Sequence, residues 1–197
     1  MKILVILTHP KPGSFNHAIA ETVCLNLIAL GHTPIFHDLY AEKFDPVLTE
    51  TEINMKVEEL PEPILSFTNE LMEADGYIFV HPNWWGGPPA MLRGWLDRVV
   101  RSGLAYGFTE NGPVQKLSDK IVQIFTTSNT PREVELNVYN DPIEWFWKVI
   151  VFGLCGCKSF ERRNFESIIM STPEERKQWL LEVEEMVRRQ WSYTRVG

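Results

Sequence analysis

Three short segments bring together side chains and backbone suited to ligand chemistry. The first is Thr8-His9-Pro10-Lys11-Pro12-Gly13-Ser14-Phe15-Asn16. It follows an apolar run and leads into a helical pattern, so the helix dipole and unsatisfied N–H groups there favour an anion such as a phosphate. Ser14 and Asn16 add side-chain hydrogen bonds, and His9 and Lys11 can add positive charge. The spacing is neither a Walker loop nor a GxGxxG, and Ser14 acting only as a helix cap remains an alternative. The second segment is His81-Pro82-Asn83-Trp84-Trp85-Gly86-Gly87-Pro88-Pro89. Adjacent Trp residues in a proline-stiffened loop suit a flat ring system, and the glycines let backbone N–H groups come close to it. The third segment, Thr126-Thr127-Ser128-Asn129-Thr130, offers small hydrogen-bonding groups for a polar ring edge, although turns favour the same residue types.

These segments act together only if the fold places them side by side, and the flanking patterns supply such a fold. Ile3–Leu7, Thr33–Phe36, Tyr77–Val80, Ile121–Phe125 and Phe160–Ile168 read as five strands. Between them, helical patterns run from Ser14 (Ile19, Val23, Leu27 and Leu30 at spacings of three and four), Pro63–Ala74, Ala90–Val100 and Pro142–Leu154. Ser171-Thr172-Pro173-Glu174-Glu175 marks the start of a last helix reaching about Trp191. Residues 41–60 are acidic and irregular, with room for one short helix. Strands alternating with helices predict an α/β doubly wound parallel sheet, whose ligands bind beyond the carboxyl ends of the strands. The loops after strands one, three and four are the three segments above.

Bulk properties narrow the function classes. The 197 residues suit one domain, 1–197, large enough to bury its own core. A net charge of -7 without a basic block argues against nucleic acid as a partner. Cys24, Cys155 and Cys157 form no CxxC pair, and small buried thiols are expected rather than a metal or disulfide framework. The apolar run after Met1 is too short for a signal segment, and no run approaches the roughly 18 apolar residues of a membrane span, so a soluble, cytoplasmic protein is expected. His17 reads as a solvated or capping residue, His32 and His37 as structural, and His81 as packing or support for the second loop. Trp145-Phe146-Trp147 cannot all share one helix face, which predicts a homodimer interface there.

Ser14-Phe15-Asn16, Thr126-Thr127, and Pro-x-x-Trp-x-Gly-x-Pro-Ala-x-Leu-x-Gly-Trp from Pro82 to Trp95 together resemble the NAD(P)H:quinone oxidoreductases. The resemblance runs from Lys2 to about Trp191 and is densest at 3–16, 77–108 and 121–130. It implies a flavodoxin-like three-layer sandwich with a five-stranded parallel sheet. It also implies a flavin, FMN or alternatively FAD, reduced by NAD(P)H and reoxidised by a small quinone-like acceptor, with ping-pong kinetics. Carried over by position, His9, Ser14, Phe15 and Asn16 would meet the phosphate and ribityl chain. Pro82, Asn83, Trp84, Trp85 and Gly86 would hold the ring, and Thr126, Thr127, Ser128 and Asn129 would bond its pyrimidine edge. Tyr106 and Phe108, beside Ala105, would line the substrate cleft, and the flavin would lie near a homodimer interface. No side-chain nucleophile or metal is implied.

The chain departs from the family in three places. A pair often seen as Gly-Gly is Ser128-Asn129 here. A Tyr and a His found in some members correspond to Val134 and Asn140, with Tyr139 and Arg132 nearby. An Arg that contacts adenosine in FAD-binding members has only Arg176 and Lys177 as neighbours, which leans the expectation to FMN. A flavin-binding regulatory subunit of a membrane transport system and a one-electron flavodoxin-like carrier are the alternatives.

Overall fold

The structure is a computed structural model, and it describes residues 1–157 and 159–192. The five expected segments form strands, but with shifted ends. They are β1 (Lys2–Leu7), β2 (Thr33–Asp38), β3 (Gly76–Pro82), and, after an intervening hairpin, β6 (Ile121–Thr127) and β7 (Ser159–Phe165). The hairpin comprises β4 (Tyr106–Thr109) and β5 (Gly112–Gln115). Helices are α1 (Phe15–Ala29), α2 (Glu50–Ile53), α3 (Ile64–Glu73), α4 (Ala90–Val99) and α5 (Arg132–Asn137). They continue with α6 (Pro142–Glu144), a π-helix (Trp145–Val151), α7 (Phe152–Cys155) and α8 (Pro173–Trp191).

All five long strands pair in parallel in the order β2-β1-β3-β6-β7. This is the expected α/β flavodoxin-like arrangement, with the strand order reversing beside β1. Period-two side chains explain the layers. From β1, Ile3, Val5 and Leu7 face α1 and α8, packing with Ile19, Val23, Val183 and Val187. Leu4 and Ile6 face the other way, onto α3, α4 and the 142–155 segment through Leu71, Trp95, Trp147 and Phe152. Strands covered on both faces must be apolar throughout, which is why they read as continuous runs.

Several expectations are corrected. The last strand ends at Phe165 rather than Ile168, because Ile168–Met170 closes into a 3-10 turn. The second strand ends at Asp38, within the expected His37–Tyr40 stretch, in register with Leu7. The Pro63 helix begins one residue later, with Pro63 in the capping position. The 142–155 segment is not one α-helix, because its centre widens into a π-helix that lets Trp147 reach the core while Trp145 stays exposed. The β4–β5 hairpin was not anticipated. The acidic stretch is pinned to α4. Arg98 Nη2 donates to Glu52 Oε1 at 2.8 Å, and Gly94 lets the backbone of Pro46 lie where a Cβ would stand. Among the described residues no helix is long and apolar enough to cross a membrane.

Candidate functional site

Hydrogen bonds tie the three loops together at the carboxyl ends of β1, β3 and β6. Asn83 N donates to Thr127 O at 2.7 Å, joining the second and third segments. Asn16 Nδ2 donates to Thr127 Oγ1 at 2.9 Å, fastening the start of α1 to the same residue. Ser128 N reaches Phe165 O at 2.9 Å, and Asn164 Nδ2 reaches Ser128 Oγ at 3.0 Å, so β7 braces the third loop from behind.

They enclose a cavity of about 860 Å³. His9, Ser14, Phe15, Asn16, Pro82, Asn83, Trp84, Trp85, Thr127, Ser128 and Asn129 all line it. Two expected residues do not. Thr126 is wholly buried and spends its hydroxyl on Asn164 Oδ1 at 2.8 Å. Gly86 lies outside the lining, where its missing Cβ makes room for the Pro142 ring. Tyr106 and Phe108 are also absent from this cavity. Tyr106 lines a separate groove with Arg93, Phe146 and Ile150, and Phe108 is exposed. Lys11, Gly13, Thr130, Ile168 and Arg176 extend the cavity beyond the start of α1.

At one end the cavity meets the start of α1. The first-turn N–H groups of a helix lack intrahelical partners, and Ser14, although in the capping position, makes no side-chain bond to them. Its hydroxyl instead meets His17 Nδ1 at 2.8 Å, and His17 Nε2 meets Asp38 Oδ2 at 3.1 Å. His17 is therefore neither solvated nor a backbone cap. Burial lowers the pKa of His9, whose Nδ1 lies 3.1 Å from the Lys11 N–H and 3.3 Å from the Lys11 carbonyl.

The other end carries an exposed indole on a tight turn. Trp84 and Gly87 exchange backbone hydrogen bonds at 3.0 and 3.1 Å around a two-residue turn with Trp85 at φ 57° and Gly86 at φ 72°. A left-handed Trp is strained, and Trp85 is fully exposed at the cavity. Thr8 Oγ1, Asn16 Oδ1 and Asn83 Oδ1 are buried without a hydrogen-bond partner, three of the five such side-chain atoms among the described residues. Their grouping at the loop-bearing end of the sheet suits a polar ligand that supplies donors.

Residues remote in sequence support these loops. Glu135, 4% exposed, accepts a 2.7 Å bond from Asn83 Nδ2. Because a carboxylate only accepts, this fixes which end of the Asn83 amide faces away. Glu135 adjoins Val134 in α5; Arg132 pairs with Glu166, and Tyr139 is exposed, so neither fills the gap at Val134 and Asn140. His81 is wholly buried. Trp147 Nε1 donates to its Nε2 at 3.0 Å, and its Nδ1 lies 2.8 Å from Pro82 O, so the proton sits on Nδ1. Burial lowers its pKa to about 4, helped by Arg162 and opposed by the Pro82 carbonyl. Arg162 in turn holds Asp141 and Glu144 at the head of the π-helix. His37 is structural as expected, bridging Glu42 and Glu70. Among the described residues no cluster of His, Cys, Asp and Glu could hold a metal. The three cysteines are free thiols, with burial raising Cys24 and Cys155 to about 11 and Cys157 to about 12.

Comparison with known proteins agrees with the fold. The family model described as Flavodoxin_2, flavodoxin-like fold, matches residues 1–187. An uncharacterized NAD(P)H oxidoreductase of Haemophilus influenzae is 35% identical over 182 residues, covering 90% of this chain and 89% of that protein. The NAD(P)H dehydrogenase [quinone] 1 of Cavia porcellus is 28% identical, covering 98% and 78%. The FMN complex of an FMN-dependent NADH-azoreductase from Bacillus anthracis has the same fold, with a TM-score of 0.79, 18% identity and coverage of 95% and 98%. The chain belongs to the flavodoxin-like-fold family, among the oxidoreductases related to NAD(P)H dehydrogenase (quinone).

Proposed function

We propose that the chain binds FMN in the three-loop cavity and catalyses electron transfer from NAD(P)H to a small quinone-like acceptor. The observation that carries this reading is the convergence of an anion-ready helix start, an exposed strained Trp and unpartnered buried acceptors on one cavity. The residues fit the cofactor. Ser14, Phe15, Asn16 and His9 would hold the phosphate and ribityl chain. Pro82, Asn83, Trp84 and Trp85 would hold the ring, while Thr127, Ser128 and Asn129 would meet its polar edge. Thr126 and Gly86 would act one layer back, by bracing Asn164 and admitting Pro142. Bound flavin supplies two-electron hydride chemistry, so the protein need only bind, orient and stabilise charge. The relatives' printed names and the FMN complex of the azoreductase support this assignment.

FAD is the second reading, because Arg176 lines the far end of the same cavity. A homodimer belongs to the proposal as well. Trp145, Val149 and Ile150 are exposed apolar side chains on the π-helix. Tyr106 and Phe108 lie outside their own chain's cavity, so lining a substrate cleft requires a second copy. Free thiols suit a reducing compartment such as the cytoplasm.

The test is an absorbance spectrum of the purified protein before and after anaerobic NAD(P)H. Flavin bands that bleach in one two-electron step, with the released chromophore weighed by mass spectrometry, support the reading and choose FMN or FAD. A persistent one-electron intermediate supports an electron carrier instead. Absence of flavin even after reconstitution refutes the proposal. Sedimentation at working concentration tests the dimer, and a monomer refutes it.

A further inference from the structure

Behind the anion end of the cavity stands a relay that flavin binding as such does not require. Ser14 lines the cavity and its Oγ lies 2.8 Å from His17 Nδ1, and His17 Nε2 lies 3.1 Å from Asp38 Oδ2. Asp38 is fixed at the end of β2, where its Oδ1 accepts the N–H groups of Tyr40 and Ala41 at 3.1 and 3.2 Å. His17 and Asp38 keep only 23% and 16% of their side-chain surface exposed. The relay thus joins the first turn of α1 to the neighbouring strand.

Its wiring has a consequence. Asp38 Oδ2 only accepts, so His17 Nε2 carries a proton. With a neutral ring, Nδ1 is then an acceptor, and the Ser14 hydroxyl must donate to it. Its proton is turned away from the cavity and cannot serve a phosphate. If the ring gains a second proton, Nδ1–H donates to Ser14 Oγ and frees the hydroxyl to donate forward. We propose that His17, backed by Asp38, is a positioning residue that takes up a proton when a phosphate monoester docks at α1, turning Ser14 into a phosphate donor. The inference rests on the flavin phosphate occupying that end of the cavity. The charge balance favours it, because a dianion arriving at the helix start stabilises an imidazolium one hydroxyl away. The other ionisable groups around the pair are His9, whose ring centroid lies 6.3 Å from that of His17, and Lys11 on the same loop. Lys11 opposes a further positive charge in the empty cavity and the dianion offsets it, while His9, its pKa lowered by burial, stays neutral and adds none.

The test is calorimetry on the full chain freed of flavin, titrated with FMN in Tris and in HEPES at about pH 8, where the free monoester is already dianionic. Binding enthalpies that differ between the buffers report protons taken up. The expected result is uptake of up to one proton with FMN and none with riboflavin, which lacks the phosphate. His17→Gln keeps hydrogen bonding to Ser14 and Asp38 but cannot gain a proton. It should abolish the uptake and weaken FMN about tenfold, the scale of one charge-assisted hydrogen bond, while leaving riboflavin affinity unchanged. Asp38→Asn, which removes the backing charge, should shrink the uptake. Equal uptake in the unaltered protein and His17→Gln, or equal weakening of FMN and riboflavin, overturns the proposal and leaves the cofactor assignment standing. If the unaltered chain binds neither flavin, the cofactor assignment fails and this proposal with it.

Discussion

The buried histidine beneath the second loop makes the fold sensitive to mild acid. His81 has no exposed surface, accepts from the Trp147 indole and donates to the Pro82 carbonyl, and it titrates only at about 4 instead of the ordinary 6.5. The folded-state pKa is depressed, so the neutral ring contributes its full stability above about pH 6.5, and that contribution is lost as pH falls toward 4. In that window the unfolded chain takes up a proton that the folded chain refuses, at about 1.4 kcal/mol per pH unit. The loss is about 2 kcal/mol between pH 7 and pH 5, and about 3 kcal/mol by pH 4. The perturbation is His81→Gln, whose amide can accept from Trp147 and donate to Pro82 but stays neutral. Urea unfolding of both proteins at the two pH values isolates the residue, since the other titrating groups are shared. Gln packs less well and is expected to be less stable at pH 7, but the gap should narrow by about 2 kcal/mol at pH 5. A gap that changes by less than about 0.5 kcal/mol would refute the reasoning, because it would mean that the histidine is not held neutral by its surroundings.

Three further outcomes follow from particular contacts. Gly94→Ala, a change that ordinarily stabilises a helix by up to about 1 kcal/mol, should here cost about 3 kcal/mol or prevent folding, because the new Cβ would meet Pro46 O at 2.1 Å; chemical denaturation decides. Arg162→Met leaves Asp141 and Glu144 facing each other without their cation, and should cost about 2 kcal/mol, moderated by the partial exposure of Glu144. Trp85→Ala should leave unfolding free energy within about 0.5 kcal/mol, since the side chain packs against nothing, yet weaken FMN about tenfold in a fluorescence titration. Equal effects on stability and affinity would refute a ligand-facing role for Trp85.

Much of this was legible in the sequence because burial on both faces forces long apolar runs. Lys2–Leu7, Gly76–Pro82 and Ile121–Thr127 announce themselves, and the loops at their carboxyl ends could be named before their geometry was known. The β4–β5 hairpin was missed although Glu110-Asn111-Gly112 is turn chemistry, because its strands are only four residues each and mostly exposed, with Tyr106 alone packing on the apolar core. The π-helix left no local signature; it is imposed by Trp147 seeking His81 while Arg162 holds the preceding turn. Glu135 and Asp38 were invisible for a different reason. Each acts across more than twenty residues of sequence through a single hydrogen bond, and no spacing rule reaches that far.

The three quiet thiols give the molecule an internal gauge of its own opening. With values of about 11 to 12, Cys24, Cys155 and Cys157 present on the order of one thiolate per ten thousand molecules or fewer near neutral pH, and only the thiolate reacts. They report on different places: Cys24 on the α1 layer, and Cys155 and Cys157 at the end of the aromatic segment against Leu117. Alkylation rates at each sulfur, followed by peptide mass, therefore compare how readily each side of the sheet admits a reagent, with buried Cys155 the one that needs an opening. The protein can be surveyed for local breathing without adding a single label.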